Sequence, residues 1–101
     1  MGTSLEPTEA ETVIRLDGPL DAARAEFLRD LLDMFAMSAG MPIVVDLSGV
    51  HWIDSIGVGV IIAADLKFRQ QGRELHLRSP RPPVSHVLEL TGITRRLRID
   101  G

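Results

Sequence analysis

Segments with strand periodicity and segments with helix periodicity alternate along this chain, and that alternation limits the folds open to it. Residues 12–16 and 74–79 alternate apolar and polar side chains, as half-buried strands do. Residues 43–47 form an apolar, β-branched run that is typical of a strand covered on both faces, and residues 96–100 predict a last short strand. With helical stripes between them, the order β-α-β-α-β-α-β predicts an α/β fold with a mainly parallel or mixed sheet.

Residues that begin or end helices mark three helical segments. Asp21 is predicted to cap the first helix, because its carboxylate can accept from the free amides of the first turn. Either Asp54 or Ser55 is predicted to cap the second. Pro83 suits the first position of the third helix, and Gly92 suits the left-handed position past its end.

The length and composition fit one small globular unit. We expect residues 1–10 to be a flexible lead or an edge strand and residues 11–101 to form a single domain. The absence of cysteine excludes disulfides and thiolate metal sites, and the net charge of −3 disfavours binding to a nucleic-acid backbone. The longest apolar run, residues 56–64, is much shorter than the ~20 residues of a membrane span. We therefore expect a cytoplasmic protein with no metal, no cofactor, no nucleic acid and no membrane contact.

The segment HWIDSIGVGV, residues 51–60, contains the residues with the most specific chemistry. Ser55 lacks the first glycine of a G-x-S-x-G nucleophile turn, and no histidine is placed by its spacing to act as a base, so catalysis by this serine is disfavoured. Gly57 and Gly59 are not accompanied by the third glycine that a dinucleotide fingerprint requires. We interpret them as glycines that allow the helix start to pack closely on the sheet. The free amides of the helix start would stabilise a phosphate there. Two interpretations of Ser55 stay open, a simple helix cap and a phosphate carrier.

Three segments together resemble the STAS domain family, the sulfate-transporter and anti-sigma-antagonist fold. IVVDLSGVHWIDSIGVGVIIAA is similar to the family pattern of an apolar strand, D-L-S-x-V and then D-S-[ST]-G-[LI]-G. RLDGPLDAARAEFLRDLL resembles its G-x-L-D turn and first helix, and SPRPPVSHVLELTGITRRLRI resembles its last helix and strand. The resemblance covers residues 11–100 and implies a STAS-like fold, a mixed four- to five-stranded sheet packed with helices.

The resemblance also implies a function and one departure from it. Standalone bacterial members are anti-sigma factor antagonists: they bind an anti-sigma factor, commonly a serine kinase with a histidine-kinase-like ATPase domain, and so free a sigma factor for transcription. The kinase switches them off by phosphorylating the residue just before the first glycine. Here Asp54, Ser55 and Gly57 match the pattern, but Ile56 occupies the acceptor position and has no oxygen. The resemblance thus implies a regulatory binding protein, not an enzyme, without the usual phosphoacceptor.

The same resemblance places a partner-binding face around the start of the second helix. Ile56 and Val58 are expected to form an exposed apolar spot there, with the alternative that Ile56 tucks against the neighbouring loop. Ser55 is a disfavoured acceptor because a capping side chain points back to its own helix. The expected partner-binding residues are Pro19, Leu20, Asp21, Asp54, Ser55, Ile56, Gly57, Val58, Ile62 and Asp65.

Two other functions stay open at this point. One is a non-switched STAS subunit of a larger signalling or lipid-transport complex, and the other is a small esterase acting through Ser55. The sequence leaves open the oligomeric state, the upstream signal and the particular sigma and anti-sigma pair.

Overall fold

Strands and helices alternate in the computed structural model, which describes residues 2–8, 10–37, 40–95 and 97–100. Within those ranges there are five strands, three α-helices and one short 3-10 turn. The elements are β1 Gly2–Pro7, β2 Thr12–Asp17, α1 Ala22–Met37, β3 Ile43–Gly49, α2 Ser55–Gln70, β4 Leu75–Arg78, α3 Pro82–Thr91, the turn Ile93–Arg95 and β5 Arg98–Asp100.

The five strands form one mixed sheet in the order β1-β2-β3-β4-β5. β1 pairs antiparallel with β2, and every later pair is parallel, with a helix crossing between its strands. The predicted α/β order is therefore confirmed. Gly2–Pro7, within the segment for which a flexible lead or an edge strand was expected, forms the antiparallel edge strand.

All three helices pack on the same face of the sheet. Each parallel crossover leads to the neighbouring strand in the same direction, and right-handed crossovers then place every helix on one side. The core contains alternate residues of the inner strands, such as Ile14, Val45 and Leu77, together with Leu28 and Phe68 from the helices. Helices α1 and α2 also contribute core residues, namely Ala25, Leu32, Ala36, Val58, Val60, Ile61 and Ala64.

The opposite face of the sheet carries charges in alternating sign. The register places Arg15 beside Asp46, Asp46 beside Arg78, and Arg78 beside Asp100. An Arg78 Nη nitrogen lies 2.8 Å from Glu11 Oε1. Val44 is nevertheless buried on this face, where the register places it between Val13 and His76. The prediction that residues 43–47 are covered on both faces is thus confirmed.

Two features are absent from the described ranges. None of their helices has the length and apolar character needed to cross a membrane. Nor do their histidine and carboxylate side chains come together in a group of three or more that could hold a metal ion.

Candidate partner-docking site

The loops that follow β2 and β3 run side by side and hold the start of α2 in place. The Leu20 amide donates to the Trp52 carbonyl at 2.8 Å, and the Asp54 amide donates to the Leu20 carbonyl at 3.3 Å. Leu20 and Ile53 also form an isolated parallel bridge, and both side chains are buried. Two segments that are far apart in the sequence are therefore fixed together at the carboxyl end of the sheet, the usual position of sites in α/β folds.

Asp54 is the residue that caps α2. Its backbone is extended, and its Oδ1 accepts from the Gly57 amide at 2.8 Å. Ser55 is already the first helical residue, and its side chain is exposed. The interpretation of Ser55 as the cap is wrong, because the Asp54 carboxylate, one residue earlier, accepts from the Gly57 amide. Its negative charge also interacts favourably with the positive end of the helix dipole. Asp21 caps α1 as predicted, since its Oδ1 accepts from the Arg24 amide at 3.1 Å.

Asp54→Ala is expected to lower the free energy of unfolding by about 1 kcal/mol, because the Gly57 amide loses its acceptor. Urea denaturation followed by circular dichroism measures the change. Ser55→Ala is the matched control and should leave the midpoint unchanged. Equal losses in the two variants would show that Ser55 shares the capping role.

Packing among the described residues requires Gly57 but not Gly59. A Cβ atom on Gly57 would lie 3.0 Å from the Leu20 carbonyl oxygen and 3.0 Å from Ile53 Cγ1. Gly57 does allow close packing of the helix start, but the contact is with the adjoining loop residues Leu20 and Ile53 and not, as predicted, with the sheet. A Cβ atom on Gly59 would meet nothing within 4 Å, so the same interpretation is wrong for Gly59.

Ile56 projects from the site. Ile56 is 52% exposed, and Trp52 in the preceding loop is 51% exposed. The prediction of an exposed Ile56 is therefore confirmed, and the alternative that it tucks against the loop is wrong. Val58 is only 5% exposed and belongs to the core, so its predicted exposure is wrong. Two residues along a helix correspond to a rotation of about 200°, which turns Val58 away from the surface that Ile56 occupies.

The outer surface of α2 also differs from the prediction. Asp65 is 4% exposed and its Oδ1 lies 3.2 Å from Arg69 Nε, one turn later, so its carboxylate is buried beneath a paired arginine. Ile62 is half-buried against the core. Between Ile56 and Lys67, the exposed residues of α2 are instead Gly59, Ala63 and Leu66.

Burial divides the predicted partner-binding residues into two groups. Pro19, Asp21 and Asp54 are half-buried and Ser55 and Ile56 are exposed, so a partner can reach them. Buried residues of the same set support the site from below and offer a partner little side-chain surface. These are Leu20, Gly57, Val58 and Asp65.

Two large apolar side chains are exposed close to Ser55. Among the described residues, neither a histidine nor a carboxylate is hydrogen-bonded to the Ser55 hydroxyl, which is the contact through which a base activates a serine. What the site presents is an exposed tryptophan on one of the paired loops and an exposed isoleucine in the first turn of α2. Such side chains are typical anchors of protein–protein contacts.

Fold and site together define a small α/β domain with its exposed features at the start of α2. Residues 4–100 match the family model of the STAS domain. The chain belongs to the STAS domain family.

Individual relatives agree with this assignment. The anti-sigma-B factor antagonist of Listeria monocytogenes is 29% identical over 104 residues, which span 100% of this chain and 91% of the relative. The unphosphorylated anti-sigma factor antagonist SpoIIAA has a TM-score of 0.83 at 24% identity, covering 97% of this chain and 87% of that one. The phosphorylated form from Bacillus has a TM-score of 0.77 at 23% identity, covering 97% and 90%. The murine anion transporter Slc26a9 has a TM-score of 0.77 at 17% identity, covering 93% of this chain but only 16% of the transporter. At these identities the solved structures show a shared fold.

Proposed function

We propose that this protein is an anti-sigma factor antagonist, which binds an anti-sigma factor of the serine-kinase type and thereby frees a sigma factor. A relative that this chain matches over its whole length bears that name. The observation that carries the proposal is the exposed Ile56 on a helix start that Asp54 and the Leu20 loop hold rigidly. A preformed, uncharged anchor suits reversible protein binding in the cytoplasm and requires no cofactor.

In the proposed function, this protein differs in one respect from an antagonist that is switched off by phosphorylation. In the STAS pattern the phosphoacceptor stands where this chain has Ile56, and SpoIIAA has been solved both with and without phosphate. An isoleucine offers no oxygen to a kinase. Binding by this protein would therefore be controlled by the amounts of the partners and not by phosphate at this position.

The proposal is tested by titrating the purified chain into the serine-kinase anti-sigma factors of its own organism. Calorimetry should show saturable binding to one of them, and the sigma factor should be released from a preformed complex. Absence of binding to every candidate, or binding without release, would contradict the proposed function.

Ile56→Ser is expected to create a phosphoacceptor. With the cognate kinase and ATP, intact-mass spectrometry should show one added phosphate on the variant and none on the parent chain. The same experiment on a Ser55→Ala, Ile56→Ser double variant locates the phosphate. Phosphate on the parent chain that disappears in Ser55→Ala would show that the exposed Ser55 hydroxyl is the acceptor and that the protein is switched after all.

A second candidate is a non-switched STAS subunit of a larger signalling or lipid-transport complex. Ile56 favours it, because such a subunit needs a permanent contact and no acceptor, and the fold occurs as a small part of Slc26a9. Size-exclusion chromatography with the neighbouring gene products separates the two functions. Stable co-elution that anti-sigma factor does not compete with would favour the subunit.

A further inference from the structure

The exposed face of α2 carries no charge over its first three turns. From Ser55 to Leu66 the charged residue Asp65 is buried, and every exposed residue is uncharged. By contrast, the exposed face of α1 includes Glu26, Arg29 and Asp30. A helix that is apolar on all sides is usually buried. The exposed residues of this part of α2 are Ser55, Ile56, Gly59, Ala63 and Leu66.

Four of these residues follow the spacing of a helix–helix contact. Ile56, Gly59, Ala63 and Leu66, here called the α2 stripe, are separated by three, four and three residues and line one side of the helix. Ile56 is 52% exposed at one end and Leu66 is 48% exposed at the other. The two small residues between them leave a shallow groove, and the whole stripe is about 15 Å long at ~1.5 Å per residue.

Gly59 is not explained by the fold of this chain. Glycine in a helix interior is less favourable than alanine because the unfolded chain has more freedom to lose. Among the described residues, a Cβ atom at Gly59 would contact nothing within 4 Å, so none of them requires its absence. The missing side chain leaves room for a close approach by a partner.

The chemistry of the α2 stripe selects a helix as the occupant. Beyond its first turn, α2 uses its backbone amides and carbonyls within the helix, and the stripe offers no polar side chain. A loop or extended segment laid on it would bury backbone groups without partners, whereas a helix satisfies its own. Small residues four apart also let two helix axes approach closely.

We propose that the α2 stripe is the binding site for an apolar helix of the anti-sigma factor, which packs across Gly59 and Ala63 between Ile56 and Leu66. This inference rests on the proposed function and extends the docking site by three helical turns. It replaces the predicted contacts at Ile62 and Asp65, which the fold buries wholly or in part.

The first test separates binding from folding at Gly59. Gly59→Ala and Gly59→Gln should unfold at higher denaturant concentration than the parent, because both residues favour a helix and the space is open. Gly59→Gln should weaken anti-sigma factor binding by at least about tenfold, because its side chain fills the groove. Leu90→Gln, which removes an exposed leucine from α3, is the control and should bind as the parent does.

The outcomes distinguish this inference from the proposed function. If the parent binds and Gly59→Gln binds equally well, the α2 stripe is not the binding site, although the proposed function stands. If the parent binds no anti-sigma factor, the proposed function fails and the inference fails with it. If Gly59→Gln converts a dimer to a monomer in light scattering, with unchanged partner binding, a second copy occupies the stripe and the inference is overturned.

The second test identifies the occupant as a helix. The chain has no cysteine, so Ala63→Cys provides a unique attachment point for a photoreactive crosslinker. Crosslinked partner residues, mapped by mass spectrometry, should recur every three or four positions. Recurrence at every second position, or crosslinks scattered over several loops, would contradict a helical occupant.

Discussion

Gly49→Ala is expected to cost about 3 kcal/mol in the free energy of unfolding, close to the upper end for overpacking. Gly49 ends β3 and pairs with Asp17 where the β2–β3 register shifts. An added Cβ atom would lie 2.7 Å from the Leu16 carbonyl oxygen and 3.2 Å from Asp17 Cα. These are backbone atoms, so relief would require the two strands to separate.

Differential scanning calorimetry measures this loss. For a domain of this size the melting temperature should fall by roughly 12–24 °C. Gly2→Ala is the matched control, because a Cβ atom at Gly2 meets nothing within 4 Å. A melting temperature for Gly49→Ala within a few degrees of the control would mean that the strand ends are looser than described. The docking site would be affected too, since the Gly18 amide donates to the Gly49 carbonyl at 2.9 Å just before the Leu20 loop.

Ile56→Glu is expected to weaken binding to the anti-sigma factor by about 100-fold or more, because a buried, unpaired charge at an interface costs several kcal/mol. The fold should be retained. The Ile56 side chain is exposed, and a carboxylate in the first turn interacts favourably with the helix dipole. Calorimetric titration gives the affinity, and circular dichroism verifies the fold.

Two control variants make this loss interpretable. Leu90→Glu places the same charge on a residue of α3 that is 74% exposed, and it should bind normally. Ser55→Glu places the charge one residue earlier, about 100° around the helix, and should have a smaller effect. If Ile56→Glu binds as tightly as Leu90→Glu, the start of α2 does not contact the partner.

Much of the fold followed from periodicity and helix-end chemistry. The alternation of strands and helices, the Asp21 cap and the left-handed Gly92 were all predictable, because each depends on neighbours in the sequence. The resemblance to the STAS pattern then located Ile56 in a motif that physical reasoning alone left ambiguous.

The predictions that proved wrong concern residues of α2, whose first part, residues 56–64, is apolar on every side. An apolar stripe predicts the buried face only when a polar face opposes it, and residues 56–64 provide no such contrast. Val58 was therefore assigned to the surface although it packs in the core. For Asp65, its charge suggested exposure, yet Arg69 four residues later was a sequence signal that the carboxylate could be paired and buried.

The strands lie side by side in the sheet in the same order in which the ribosome synthesises them. After the first hairpin, each newly made strand and helix can add at one growing edge, and none has to insert between strands already joined. Contacts between segments that are close in the chain form fastest, and the amino-terminal part of a nascent chain folds first. The candidate docking site consists of segments within residues 18–58, so it can fold while β4 and β5 are still being synthesised.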